Sequence, residues 1–277
     1  MQELDDNALL REYVERNSGE AFAVLVERHI NKVYSVALRR LGNPHQAEEI
    51  TQAVFIILAR KSPRLGRNVI LSGWLYQTAW LTTLTFIRGE IRRARREQEA
   101  CMQTIGSENE NDVWKQIAPL LEDAMAALNE TDRHAIVLRF FDGKSMREVG
   151  AALGSNESAA KMRIGRAVEK LQHFFSRHGV TSKGEAITGA ISAHSVQAAP
   201  AALAKTVAAV SIAKGTIASI STLALVKTTL IAMTTKIKIT IASAIVLTVI
   251  LGAGVYLATR TVSALQIVPT SVTLPLK

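Results

Sequence analysis

The sequence predicts an all-α chain: two small helical domains, an N-terminal bundle and a C-terminal helix-turn-helix, joined by a linker and followed by a single transmembrane helix. Three observations predict it. Apolar residues recur at helical spacing over residues 2–97 and again from near Trp114 to about Phe175. A polar stretch without that periodicity, EACMQTIGSENENDV, separates the two. Far downstream, KIKITIASAIVLTVILGAGVYLATR holds no charge between Lys238 and Arg260.

The first domain, residues 1–97, is a succession of helices with short joints, of which RLGNPHQAEEI is the clearest. Gly42 suits the left-handed position after a helix, Asn43 the next cap, Pro44 the first turn, and Gln46 stands three after the cap. In the helix after this joint, Ile50, Val54, Ile57 and Leu58 form an apolar stripe. Ser72 is expected to cap a further helix running from Gly73 into the arginines near residue 96. That helix carries Trp74, Tyr76, Trp80 and Phe86, then Arg88, Arg92, Arg93, Arg95 and Arg96. Aromatic faces stack on unpaired bases and arginines follow phosphates. A buried aromatic core with solvated arginines fits the same pattern, so this helix alone does not establish DNA binding.

Residues 98–113 are the linker, and 114–178 the second domain. Its informative stretch is KSMREVGAALGSNESAAKMRIGRAVEKL. Ser145 and Glu148 have capping-box spacing, and Met146, Val149 and Leu153 line one face of a short helix. Gly154 closes that helix and Asn156 caps a longer one. There Ala160, Ile164, Ala167, Val168 and Leu171 form the apolar stripe, while Ser158, Met162, Gly165 and Arg166 face outward with Lys161 at the edge. A short helix, a glycine turn and a longer helix with a basic outer face make a helix-turn-helix, whose second helix enters the major groove. A plain helical hairpin with a solvated charged face is the competing reading.

Taken in order, the helix containing EEITQAVF, the WLY helix with its basic end, the linker and the helix-turn-helix resemble the RNA polymerase sigma factors, most closely the two-domain extracytoplasmic-function (ECF) type. The resemblance covers about residues 18–175. It implies a non-catalytic subunit that gives core RNA polymerase its promoter specificity. It places the polymerase-docking motif on Glu48, Glu49, Ile50, Gln52 and Phe55, facing the clamp helices of the beta-prime subunit. Contact with the −10 element falls to Trp74, Tyr76, Gln77, Trp80, Arg88, Arg92 and Arg93. Contact with the −35 element falls to Asn156, Ser158, Lys161, Met162, Gly165 and Arg166, in a domain that meets the beta flap. An anti-sigma factor is a further partner class, which the sequence does not identify. The chain departs from the pattern at Gln77, Trp80, Leu81, Thr85 and Phe86, where basic or polar residues are usual, and at Ser155, where the turn usually has an apolar residue. Gly165 offers no side chain to a base edge. These departures motivate an alternative: a membrane-bound helix-turn-helix regulator that binds DNA without initiating transcription.

Charge sharpens the reading of the remainder. The net charge is +9, but of the 33 basic residues seven follow the last acidic residue, Glu185, leaving 26 against 24 acidic groups. The basic excess therefore belongs mainly to the C-terminal part and makes no general case for DNA. Residues 179–235 are expected to be a linker and a helical, membrane-proximal segment, and 261–277 a short tail. Within 236–260, residues 239–258 number about 20, enough for a helix across the roughly 30 Å bilayer core. Lys227, Lys236 and Lys238 precede the run and Arg260 comes after it, which predicts a single pass in a bacterial cytoplasmic membrane with the N-terminal domains in the cytoplasm.

An enzyme is not expected. The six histidines lack metal-ligand spacing, the single Cys101 excludes an internal disulfide or cysteine cluster, and no nucleophile elbow or phosphate loop occurs. No cofactor is expected. The start MQELDD lacks the apolar stretch of a cleavable signal.

Overall fold

A computed structural model of the chain describes residues 4–97, 113–213 and 218–234. Of the linker expected at 98–113, only Val113 is described, and it opens a helix; the expected span at 239–258 lies outside the described residues. Among those described, no helix is long and apolar enough to cross a membrane. The chain divides into Met1–Thr229 and Leu230–Lys277; residues 230–234, the described part of the second unit, are helical. The first unit holds both helical domains.

Four helices form the N-terminal bundle: α1 (Asp6–Arg16), α2 (Gly19–Leu41), α3 (Pro44–Lys61) and α4 (Leu71–Glu97). Each joint is set by local chemistry. The Asp5 and Ser18 side chains accept from Ala8 and Ala21 N–H at the heads of α1 and α2. Asn17 and Gly42 end α1 and α2 in the left-handed region, with φ of 53° and 65°. Asn43 accepts from Gln46 N–H at 3.2 Å, with Pro44 in the first turn, as the sequence predicts. Ser72 does not cap α4. The helix begins at Leu71, and the Ser72 hydroxyl accepts from Lys32 instead.

α3 is the centre of the bundle. Ile50, Ala53, Val54, Phe55, Ile56, Ile57 and Leu58 are all fully buried. From Ala53 to Leu58 the helix is apolar on every side and so needs neighbours on every side. α2 and α4 supply two of them, and a third comes from far downstream.

The second half comprises α5 (Val113–Ala127), α6 (Glu130–Ile136), α7 (Met146–Ala152) and α8 (Glu157–Arg177). α6 runs into a wider π-type turn, Val137–Phe141. Then α9 (Gly184–His194) packs on α5 and α8, and α10 (Leu203–Ile212) packs on α2 and α3. A helical run continues over 220–229, with Ser219 Oγ accepting from Thr222 N–H at its head. Of the stretch expected as linker and membrane-proximal segment, α9 and α10 thus fold back, one on each half. Between α9 and α10, Gln197 N–H donates to Ser35 Oγ at 2.7 Å and Ala199 N–H to Asn31 Oδ1 at 3.0 Å. Asn31 and Ser35 are four apart on α2, one turn along one face, so this strap lies along the helix.

Candidate functional site

The docking motif on α3 splits by helical phase. Ile50 and Phe55 have no exposed surface and belong to the core. Glu48, Glu49 and Gln52 are half-buried on the outer side. Glu48 lies near enough to Tyr34 that its charge adds to burial in raising that phenol above its ordinary value. Thr222 Oγ1 sits 3.4 Å from both Glu49 Oε1 and Gln52 Oε1.

The aromatic helix α4 faces the second half of the chain. Trp74, Gln77 and Trp80 are half-buried, Arg88 is exposed, and Arg92 and Arg93 lie in α4 with side chains outside the described set. Tyr76 is only 1% exposed. Its hydroxyl donates to Glu122 of α5, and its ring meets Phe141 edge-on at 5.3 Å. Burial first, then the Glu122 charge, push the phenol well above its usual value, so it stays protonated as a donor. Gln77 accepts from Arg133 of α6. Gly73 makes this approach possible, because a Cβ there would fall 2.1 Å from the His134 ring. Two of the residues assigned to the −10 element therefore face α5 and α6 here.

Two buried polar clusters fasten the halves together. Arg39 on α2 donates to Glu122 at 2.7 and 2.9 Å and to the Ser195 carbonyl of the strap. The Lys32 ammonium, 4% exposed, donates to Asp142 at 2.5 Å, to Ser72, and to His29 Nδ1 at 3.2 Å. Burial, then the Lys32 charge, hold His29 below its ordinary pKa and so neutral near pH 7. With Nδ1 accepting from Lys32, Nε2 carries the proton and donates to Asp6 at 2.8 Å. Burial alone would raise the Asp6 carboxyl; the hydrogen bonds and charges of His29 and Arg28 reverse that and bring it to about 2.

The helix-turn-helix holds its predicted form. Ser145 Oγ accepts from Glu148 N–H at 3.3 Å, and the Glu148 carboxylate accepts from Ser145 N–H at 2.8 Å, closing the capping box. Gly154 turns the chain at φ 65°, and Asn156 Oδ1 accepts from Ala159 N–H. Asn156, Ser158, Lys161, Met162, Gly165 and Arg166 are all exposed, Met162 by 64%. The neighbouring cations have another task. Arg163 and Lys170 hold Asp132 of α6 at 3.1 and 2.6 Å. α8 thus keeps one basic side for its own domain and presents another to solvent.

Sequence reasoning missed Gly150, although a glycine in the first helix of such a motif is a visible signal. A Cβ there would lie 2.9 Å from the backbone of Ser155 and Asn156, so only glycine lets the turn close on α7. It also missed Lys32 and His29. Both stand among apolar residues on the inner face of α2, which a helical wheel exposes. Among the described residues no group of His, Cys, Asp and Glu side chains could hold a metal ion.

Comparison with known proteins adds two matches in the same order as these sites. Residues 25–97 match the family model for Sigma-70 region 2, and residues 124–173 that for Sigma-70, region 4. The chain is similar to ECF RNA polymerase sigma factor SigW of Bacillus subtilis, 31% identical over 175 residues, covering 57% of this chain and 91% of the relative. It is similar to RNA polymerase sigma factor CarQ of Myxococcus xanthus, 30% identical over 156 residues, 55% of this chain and 88% of the relative. ECF RNA polymerase sigma factor SigE of Mycolicibacterium smegmatis is 30% identical over 161 residues, 56% of this chain and 61% of the relative.

Proposed function

The chain belongs to the family of ECF RNA polymerase sigma factors, non-enzymatic subunits that bind core RNA polymerase and promoter DNA to direct transcription initiation, and from it we propose the division of labour among its residues. Glu48, Glu49 and Gln52 dock on the beta-prime clamp helices, with Ile50 and Phe55 holding their helix in the core. Asn156, Ser158, Lys161, Met162 and Arg166 meet the −35 element, and the second domain also meets the beta flap. Trp74, Tyr76, Gln77, Trp80, Arg88, Arg92 and Arg93 serve the −10 element once α4 parts from α5 and α6. The observation that carries this is the exposure of all six assigned −35 residues on one side of a capped helix-turn-helix. Lys161 and Arg166 there suit phosphates or guanine edges.

The test is reconstitution. Full-length chain added to core RNA polymerase is expected to give transcripts from promoters selected out of fragmented genomic DNA. Gln52→Ala should weaken polymerase binding, and Lys161→Ala should weaken promoter binding with polymerase affinity intact. DNA binding without any transcript would favour the helix-turn-helix regulator instead.

The proposal includes a tether. Residues 239–258 cross the bacterial cytoplasmic membrane once, leaving the DNA-binding domains in the cytoplasm. The uncharged run between Lys238 and Arg260 supports it, as do the lysines ahead of it. Membrane fractionation checks it: the full chain should resist extraction by alkaline carbonate and yield to detergent. Release by carbonate would remove the tether and leave the promoter reading standing.

A further inference from the structure

We infer that residues 203–213 and 218–229 of this chain occupy the α3 face used to dock on core RNA polymerase, so that segment and polymerase compete for it. The inference rests on the docking role given above to Glu49 and Gln52. Two contacts place the segment there, and a burial pattern agrees with them. α10 lies against α2 and α3, burying Leu203, Val207, Ala208 and Val210. In the next helical run Thr222, Leu225, Val226 and Thr229 are buried, a spacing of three and four that makes one covered face. The Thr222 hydroxyl reaches Glu49 and Gln52 themselves. The segment carries lysines and no carboxylate, so no like charge opposes Glu48 and Glu49.

Reversibility is written into the same contact. The hydroxyls of Ser195, Ser211 and Thr229 are buried and find no hydrogen-bond partner among the described residues. All three belong to this segment or the strap that leads to it. A desolvated hydroxyl without a partner is a standing cost that release to water removes. The covering face is therefore closed by apolar burial yet carries groups that favour its departure. An α3 that only needed a permanent third neighbour would be served better by alanine or valine at those positions.

Hydrogen exchange on the full-length chain, free and bound to core RNA polymerase, reads the competition directly. Amides of residues 203–229 are expected to exchange at least about tenfold faster in the complex, as expected when a binding partner shifts the population to the open state. Val226→Asp, at the middle of the covered face, is expected to tighten polymerase binding at least about tenfold, because apparent affinity scales with the fraction already open. Val207→Asp on α10 should act in the same direction. Gln52→Ala should weaken binding in every background. Undiminished protection of 203–229 in the complex overturns the inference even if the variants do not fold. So does a folded Val226→Asp chain that binds no tighter than wild type. A wild-type and variant pair that both fail to bind polymerase would sink the docking reading itself, a distinguishable result.

Discussion

Lys32 is the residue on which the closed arrangement leans most. It sits on α2, yet its strongest partner, Asp142, is 110 positions away. Removing one member of a buried pair leaves the other uncompensated, at about 3–5 kcal/mol. Lys32→Met is therefore expected to lower the free energy of unfolding by about 3 kcal/mol in a urea titration. Asp6 contributes to the acid limit. Its folded pKa of about 2 lies below the unfolded value of 3.8, so its contribution is complete above about pH 4 and is lost as pH falls toward 2. Asp6→Asn should flatten the acid limb of a stability profile over that window. On α8, Lys161→Ala and Arg166→Ala should each weaken promoter binding and reduce the salt slope by about 0.9 for each phosphate no longer neutralised, read from binding isotherms at several salt concentrations. The outward set on α8 was legible because a wheel of one helix contains all the information. A wheel likewise puts Lys32 on an inner face, but its partners, like those of Tyr76, lie on elements remote in sequence.

At the scale of elements, caps were the most legible features. Asn43, Ser145 and Asn156 all accept the backbone donors their spacing implies. Ser72 shows the limit of such reasoning: a buried ammonium competes for the same hydroxyl and takes it. The C-terminal segment shows another. Read as a single helix, Lys214 falls on the face opposite Lys205 and Lys227, so the three do not share one face. In the structure α10 ends at Ile212 and helix resumes at 220, and each piece has its own phase. Lys205 is exposed on one piece and Lys227 on the other, so both are amphipathic. The interruption, more than the composition, hid them. Gly150 gives an element-level prediction. Gly150→Ala should push the turn off α7, costing about 1–3 kcal/mol and loosening the recognition helix. Thermal melting should show the destabilisation, and −35 binding should fall while polymerase binding holds.

For the whole molecule, the order of the two blocks was readable and their mutual packing was not. Periodicity marks which faces are apolar, and several helices offer compatible faces, so sequence does not choose among them. Glu122 tests the packing. It is 1% exposed and joins Arg39 to Tyr76. Glu122→Gln removes the charge opposite a buried guanidinium and should loosen α4 from α5. A single-stranded −10 oligonucleotide is expected to bind that variant at least about tenfold more tightly than the wild-type chain, because the open fraction rises.

Arg39 has one further consequence. Its guanidinium grips the strap through the Ser195 carbonyl and, by its other nitrogens, the carboxylate that holds Tyr76. On the division of labour proposed above, engaging the enzyme and engaging the melted strand would both draw on this one side chain. Where lifting the strap eases the freeing of Tyr76, thermodynamic reciprocity makes the effect equal in each direction. On the roles proposed above, a single arginine would link the two, and polymerase and opened promoter would each raise the affinity for the other.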